Sequence, residues 1–282
     1  MTCARLVAIL LAALLAACAA PPQRAAWEAR LHGDAAVLLG EVHDNGEQHR
    51  ERLAVLRRAF AAGWRPAIAM EQFDREHQAD IDRARHERPG DAQHVIDAAA
   101  GPNGGGWHWA FYRPYVALAL EYGVQLIAAD LSNADAAKIV RGGNAAVFDP
   151  QAIAALDLER PIAPAWEAAQ EREIDAGHCH ALPPSLWPQM ARAQFARDAV
   201  IAHALIAHAA HGVVLLAGNG HVRRDIGVPR WLGAIEPGRV LSVGYLEDDD
   251  TTTPVDAFDV VVRTAAAPRG DPCAGFGVPQ PR

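Results

Sequence analysis

Apolar positions in this chain fall into short uninterrupted runs separated by longer stretches that repeat at three and four residues. The runs Val37 to Gly40, Ala67 to Met70, Val124 to Ala129, Val213 to Ala217, Val240 to Tyr245 and Phe258 to Val262 predict strands. Between the first two, Leu53, Leu56 and Phe60 predict a helix over Gly46 to Ala61. Strands that alternate with helices and are apolar on both faces imply an α/β fold with a largely parallel sheet covered by helices. From Ala69 to Gly212 helical patterns dominate around one confident strand, and Trp187 to His211 runs unbroken after Pro188. This excess predicts a helical insertion or cap, about 74–211, over the strand carboxyl ends of a single domain spanning 31–282.

Polar groups stand where four of these runs stop. Leu39-Gly40 leads into Glu41-Val42-His43-Asp44-Asn45, Met70 into Glu71-Gln72, Ala129 into Asp130, and Ala217 into Gly218-Asn219-Gly220-His221. In open α/β sheets ligands bind at the carboxyl ends of strands, so Glu41, His43, Glu71 and His221 are expected in one crevice. A single such Glu would read as a solvated turn residue. Four at separate strand ends point to a shared site, because carboxylates are costly to desolvate without partners. Asp44 and Asn45 are expected to cap the next helix, whose first turn holds Glu47. Arg223 and Arg224 could neutralise the carboxylates or hold an anionic ligand.

The first residues give an address. Arg5, the apolar stretch Leu6 to Ala17 and the closing Leu15-Ala16-Ala17-Cys18 read as a lipoprotein signal over 1–17, with Cys18 lipidated and 18–30 as tether. About a dozen apolar residues are too few to span a bilayer as a helix. Ala19 after Cys18 resembles the sorting signal of bacterial lipoproteins retained at the outer membrane, lipid-anchored and facing the periplasm. With Cys3 lost in the signal and Cys18 carrying lipid, only Cys179 and Cys273 remain, and an oxidising compartment predicts a disulfide between them, free buried thiols being the alternative. The formal charge is −8 with a single lysine, Lys138, and the arginines are scattered. No basic stripe for nucleic acid is present.

Several segments together resemble one family. Leu39 to Asn45 with His49, Ala69-Met70-Glu71-Gln72-Phe73, Ala193 to Asp198, and Ala217 to Arg223 with Gly227-Val228-Pro229 resemble the ChaN family of haem-binding uptake lipoproteins. That family shares a superfamily with the Tiki and TraB proteins and the erythromycin esterases. The resemblance implies an α/β core with a helical insertion, a role in haem-iron acquisition, and homodimers that enclose haem. From the enzymatic relatives it implies metal-binding or acid–base roles for Glu41, His43, Glu71 and His221.

Haem needs an axial ligand, an apolar slot and cations for its propionates. Within Gly104 to Tyr115, His108, Tyr112 and Tyr115 are candidate ligands, Trp107, Trp109 and Phe111 candidate walls, and Arg113 a candidate propionate partner. The same segment also reads as a helix start packed on the core. His178-Cys179-His180 offers a second cluster, since His-x-His on an extended segment points both imidazoles one way; it reads equally as a solvated loop beside a disulfide.

Two functions compete. In one the protein binds haem, and the strand-end carboxylates form a polar network with Gln194, Arg197, Asp198 and Arg223. In the other it is a metal-dependent or metal-free hydrolase, in which Glu41 or Glu71 activates water while a divalent metal sits on His43, Glu71 and His221 or the histidines relay protons. Neither a His-Glu-x-x-His helix nor a Gly-x-Ser-x-Gly elbow occurs. The family match favours haem.

Overall fold

A computed structural model describes residues 26–274. The signal, Cys18 and most of the tether lie outside the described residues. The described chain builds one six-stranded sheet in the order β3-β2-β4-β1-β5-β6, with every paired neighbour parallel. In chain order β1 is Ala36–Leu39, α1 Gly46–Ala61, β2 Ala67–Asp74, α2 Gln78–Glu87, α3 Ala92–Ala99, α4 Trp109–Glu121 and β3 Leu126–Asp130. There follow α5 Asn133–Gly142, α6 Pro150–Ala155, α7 Pro164–Gly177, α8 Trp187–His208, β4 Val213–Leu216, α9 Asn219–Val222, β5 Val240–Glu247 and β6 Val260–Thr264.

The apolar runs become strands because both faces of the sheet are covered. Val37, Leu39, Ile68, Met70, Leu126, Val214 and Leu216 point into a core shared with α1, α2, α3 and α4. Their neighbours Ala36, Leu38, Ala69, Ile127, Val213 and Leu215 point the other way, into a core shared with α7 and α8. Period-two alternation thus serves two apolar layers, and the strands show no polar face. The stretch 74–211 holds α2 to α8 together with β3.

Two local expectations change. β2 does not stop at Met70; it continues through Glu71, Gln72 and Phe73 to Asp74, with a register shift against β3 between Met70 and Asp74. Those polar residues are therefore part of the strand, not a turn. Of the two expected caps only Asn45 serves, its side chain accepting from the Glu47 and Gln48 N–H groups. Asp44 instead pairs with Arg269.

β4 inserts between β2 and β1, so the chain leaves β1 to one side for β2 and β3, returns, and completes the sheet with β5 and β6 on the other. Strand-end loops diverge at such a reversal, which opens a crevice. Glu41 and Gly218 to His221 stand at the ends of the adjacent strands β1 and β4.

Candidate functional site

Glu41 follows β1 and is buried to 2 % exposure. Its carboxylate meets Arg52 of α1, accepts a 2.5 Å hydrogen bond from the Tyr112 hydroxyl, and lies 2.9 Å from His43 Nδ1 and 3.5 Å from His49 Nδ1. Burial by itself would raise this carboxyl, yet Arg52, with help from His43 and His49, holds it below the usual range. The Arg52 guanidinium is completely buried, donates to the Gly40 carbonyl at 3.0 Å, and lies over the Tyr115 ring. His43 is half exposed and packs edge-on against Trp107 at 4.9 Å. Burial works against its charged form, but the Glu41 hydrogen bond and the Glu71 charge raise its pKa. His49 stacks on Phe111 at 4.6 Å, and burial holds it below the ordinary histidine range.

A second cluster stands beside the first. Glu71 of β2 accepts from the Gly218 N–H at 2.7 Å and lies 3.4 Å from His221 Nε2. His221, on the short helix α9 after β4, has Nδ1 2.6 Å from Asp198 of α8 and the Gln194 amide 3.3 Å away. Two buried carboxylates thus flank one imidazole. Burial disfavours the charged histidine, but Glu71 and Asp198 together push its pKa well above the ordinary value. Glu71, despite burial, is held at about 2 by His221, while burial pushes Asp198 up to about 6. Asp130, at the end of β3, is likewise pushed to about 6 by burial even though Arg197 pairs with it.

The structure therefore brings Glu41, His43, Glu71 and His221 together around one cavity of about 440 Å³, with Gln194, Gly218 and Arg223 also in its wall. A larger cleft of about 980 Å³ is lined by Glu71, His221, Gln194 and Arg197, and extends to Trp107, Val140, His178 and Met190. Gln194, Arg197 and Asp198 all belong to the polar network. Arg223 does not neutralise the site carboxylates: it is buried but bonded to Glu173 and Asp225, and Arg224 pairs with Asp259. That task falls to Arg52, which sequence reasoning missed. A signal was present, because Arg52, His49 and Gln48 continue the Leu56 and Phe60 stripe of α1 toward its N-terminus, so polar side chains occupy the buried face.

The aromatic segment divides. Tyr112 and Tyr115 are fully buried, and their hydroxyls donate to Glu41 and to the His49 carbonyl, so neither presents a hydroxyl to the cleft. Trp109 donates to the Gly104 carbonyl, His108 and Arg113 are exposed, and Trp107 lines the cleft. Cys179 and Cys273 form the disulfide, with Cα atoms 5.5 Å apart. The His-x-His segment is not extended. Cys179 and His180 adopt left-handed φ values of 57° and 56°, so the imidazoles part: His178 lines the cleft while exposed His180 lies 2.7 Å from Asp175.

The divalent-metal expectation for His43, Glu71 and His221 finds no support. Among the described residues no group of three or more His, Cys, Asp and Glu side chains is placed to hold a metal ion. Glu71 is already engaged by Gly218 and His221, and His221 by Asp198. Nor is any described helix long and apolar enough to cross a membrane.

Among solved structures the fold resembles that of ChaN of Campylobacter jejuni with cofacially bound haem, at 18% identity and TM-score 0.64, over 79% of this chain and 86% of that one. An erythromycin esterase in its open conformation is more distant, at 13% identity and TM-score 0.46, over 78% of this chain and 71% of that one. No curated protein sequence matches the chain. The family described as haem-binding uptake, Tiki superfamily, ChaN matches over residues 27–232, more than half of the sequence, and the chain belongs to it.

Proposed function

We propose that this protein binds haem in the large cleft and serves haem or iron acquisition from a lipid anchor at Cys18, on the periplasmic face of the outer membrane. Family membership supports the ligand, and the cleft fits it in size and lining. Its volume, about 980 Å³, lies at the upper end of ligand pockets, and Trp107, Val140, Met190 and several alanines supply apolar wall.

The observation that carries the reading is the setting of His178. Its Nδ1 lies 2.7 Å from the Ile174 carbonyl. A carbonyl can only accept, so Nδ1 carries a proton and the neutral ring has its lone pair on Nε2. An imidazole fixed in this way by its other nitrogen is the usual setting of a metal-ligating histidine. His178 would hold the iron, Trp107 would wall the macrocycle, and bound haem would supply the iron centre. A second copy of the chain closing over the open side would complete a homodimer.

Titration with haem tests this directly. Saturable binding with a Soret shift is expected, and His178→Ala should change the Soret and charge-transfer bands while leaving the fold intact. Absence of any Soret shift in the wild-type protein would refute haem binding.

One observation favours a second reading, metal-free hydrolysis. His43 is oriented by Glu41 and faces the cavity opposite Glu71 and His221, an arrangement able to move a proton between solvent and a bound ester. Absence of ester turnover by the wild-type protein would dismiss it, and turnover that survives Glu71→Gln would take the chemistry away from this cavity.

A further inference from the structure

Gln72 sits in β2 between two residues with plain tasks, Glu71 bonded to Gly218 and His221, and Phe73 in the core. It is 3 % exposed and forms part of the cleft wall together with Asp74, His77, Ala100, Gly105 and Trp107. Neither its amide nitrogen nor its amide oxygen has a hydrogen-bond partner. A buried donor or acceptor without a partner costs free energy that water would otherwise return, and native interiors rarely leave both ends of one amide in that state. The wall also contains buried groups of similar chemistry that are satisfied. Asp130 has Arg197, Glu71 has Gly218, and His221 has Asp198. Among the described residues of this wall, the shortfall is specific to Gln72.

We propose that Gln72 is a ligand-binding residue of the cleft, whose carboxamide pairs with a carboxyl group of the ligand. This rests on the haem reading, where the carboxyl belongs to a propionate. The chemistry selects the partner. A primary amide presents one donor edge and one acceptor edge side by side, and a carboxylic acid answers both at once: its C=O accepts from Nε2–H while its O–H donates to Oε1. An ionised carboxylate would satisfy only the nitrogen. The surroundings favour the neutral acid, because Asp74 and Glu76 lie in the same wall and burial already raises the Asp74 carboxyl above its ordinary range. A residue kept for a ligand and unsatisfied without it should trade stability for binding, whereas a structural glutamine should not.

The test compares wild type with Gln72→Leu, which removes both polar atoms at similar volume, using haem and haem dimethyl ester as probes. Free Gln72→Leu should melt higher than wild type by about 2–6 °C, since an unsatisfied amide is replaced by apolar contact. Wild type should prefer haem over its dimethyl ester, which lacks the acid O–H, by about tenfold or more, and Gln72→Leu should lose that preference. A Gln72→Leu protein that melts lower or fails to fold overturns the proposal, because the amide is then structural. So does a preference for haem over the ester that the substitution leaves unchanged, in which case haem binding itself still stands. Wild-type protein that binds neither probe removes the haem reading and this inference together.

Discussion

The Tyr112 hydroxyl donates to Oε1 of Glu41 over 2.5 Å, joining residues 71 positions apart. This bond ties the start of the aromatic helix α4 to the end of the central strand β1, and it engages the hydroxyl that would otherwise be a candidate iron ligand. Burial first, and then the Glu41 charge, push Tyr112 far above the ordinary phenol range, so it remains a donor at any working pH.

Tyr112→Phe should therefore act on stability and not on a bound haem. It leaves Glu41 with one charge-assisted bond fewer in a buried position, which costs about 1–3 kcal/mol. Chemical denaturation would show the loss, and the Soret and charge-transfer bands of haem-loaded protein should match wild type. A variant whose bands change would make Tyr112 a ligand and require this region to rearrange on binding.

The fold was legible for a physical reason. Parallel strands buried on both faces appear as unbroken apolar runs, so β1, β4 and β5 could be located to within about two residues, and α1 was bounded correctly by Gly46 and Ala61. The strand-end rule also brought Glu41, His43, Glu71 and His221 together. Polar residues in buried positions were harder to place. Glu71 and Gln72 looked like a turn because nothing local shows that β2 continues through them, and although the α1 stripe marks Arg52 as buried, its carboxylate partner comes from another element and has no local sign. The direction of Arg223 was equally hidden, since Glu173 is remote in sequence. Pairings across the fold depend on packing and leave no local pattern.

The carboxylates around His221 set the pH dependence of stability. The raised His221 value means that its contribution is fully present below about 6.5 and is lost as pH rises through the folded-state value. Glu71, lowered to about 2, contributes above about 4.5 and loses that contribution as pH falls toward 2. Asp198 and Asp130, raised to about 6, cost stability when ionised, a cost that disappears as pH falls from 6 toward 3.8. The three trends place maximum stability near pH 4, where Glu71 is already ionised in the fold and both raised aspartates are still protonated, with each raised carboxyl costing on the order of 1–3 kcal/mol at pH 8. Thermal unfolding across pH 3 to 8 measures this, and Asp198→Asn should flatten the alkaline side. A melting temperature that is highest at pH 8 would contradict the assignment.

Reducing the Cys179–Cys273 disulfide should loosen one wall of the cleft. The bond joins residues 94 apart, linking the loop after α7 to the chain beyond β6, whose Arg269 is bonded to Asp44 and Glu247. Closing a loop of that length stabilises by about 4–5 kcal/mol in the chain-entropy model, less any native strain. Cys179→Ser with Cys273→Ser should lower the denaturation midpoint, and hydrogen exchange should quicken around His178, which immediately precedes the bonded cysteine. Unchanged exchange in that loop would show that its left-handed turn holds without the crosslink.

Gly218 governs where His43 can sit. Its backbone is extended, with φ −61° and ψ 153°, so alanine fits the conformation without strain. A Cβ there would come within 2.8 Å of His43 Cε1 and 3.0 Å of Nε2, too close for both groups to keep their places. The imidazole is half exposed and can swing outward, while the Gly218 N–H keeps its bond to Glu71. Gly218→Ala is thus expected to change stability by less than about 1 kcal/mol, as for a substitution that a partly exposed side chain can absorb. The chemistry should change more than the fold. Swung outward, His43 moves away from Glu41 and Glu71, the carboxylates that raise its pKa, and it should titrate nearer the ordinary value of 6.5. NMR titration of the His43 ring in wild type and variant measures the shift. An unshifted His43 titration in a folded Gly218→Ala protein would mean that the ring does not lean on Gly218 and that Glu41 alone fixes its position.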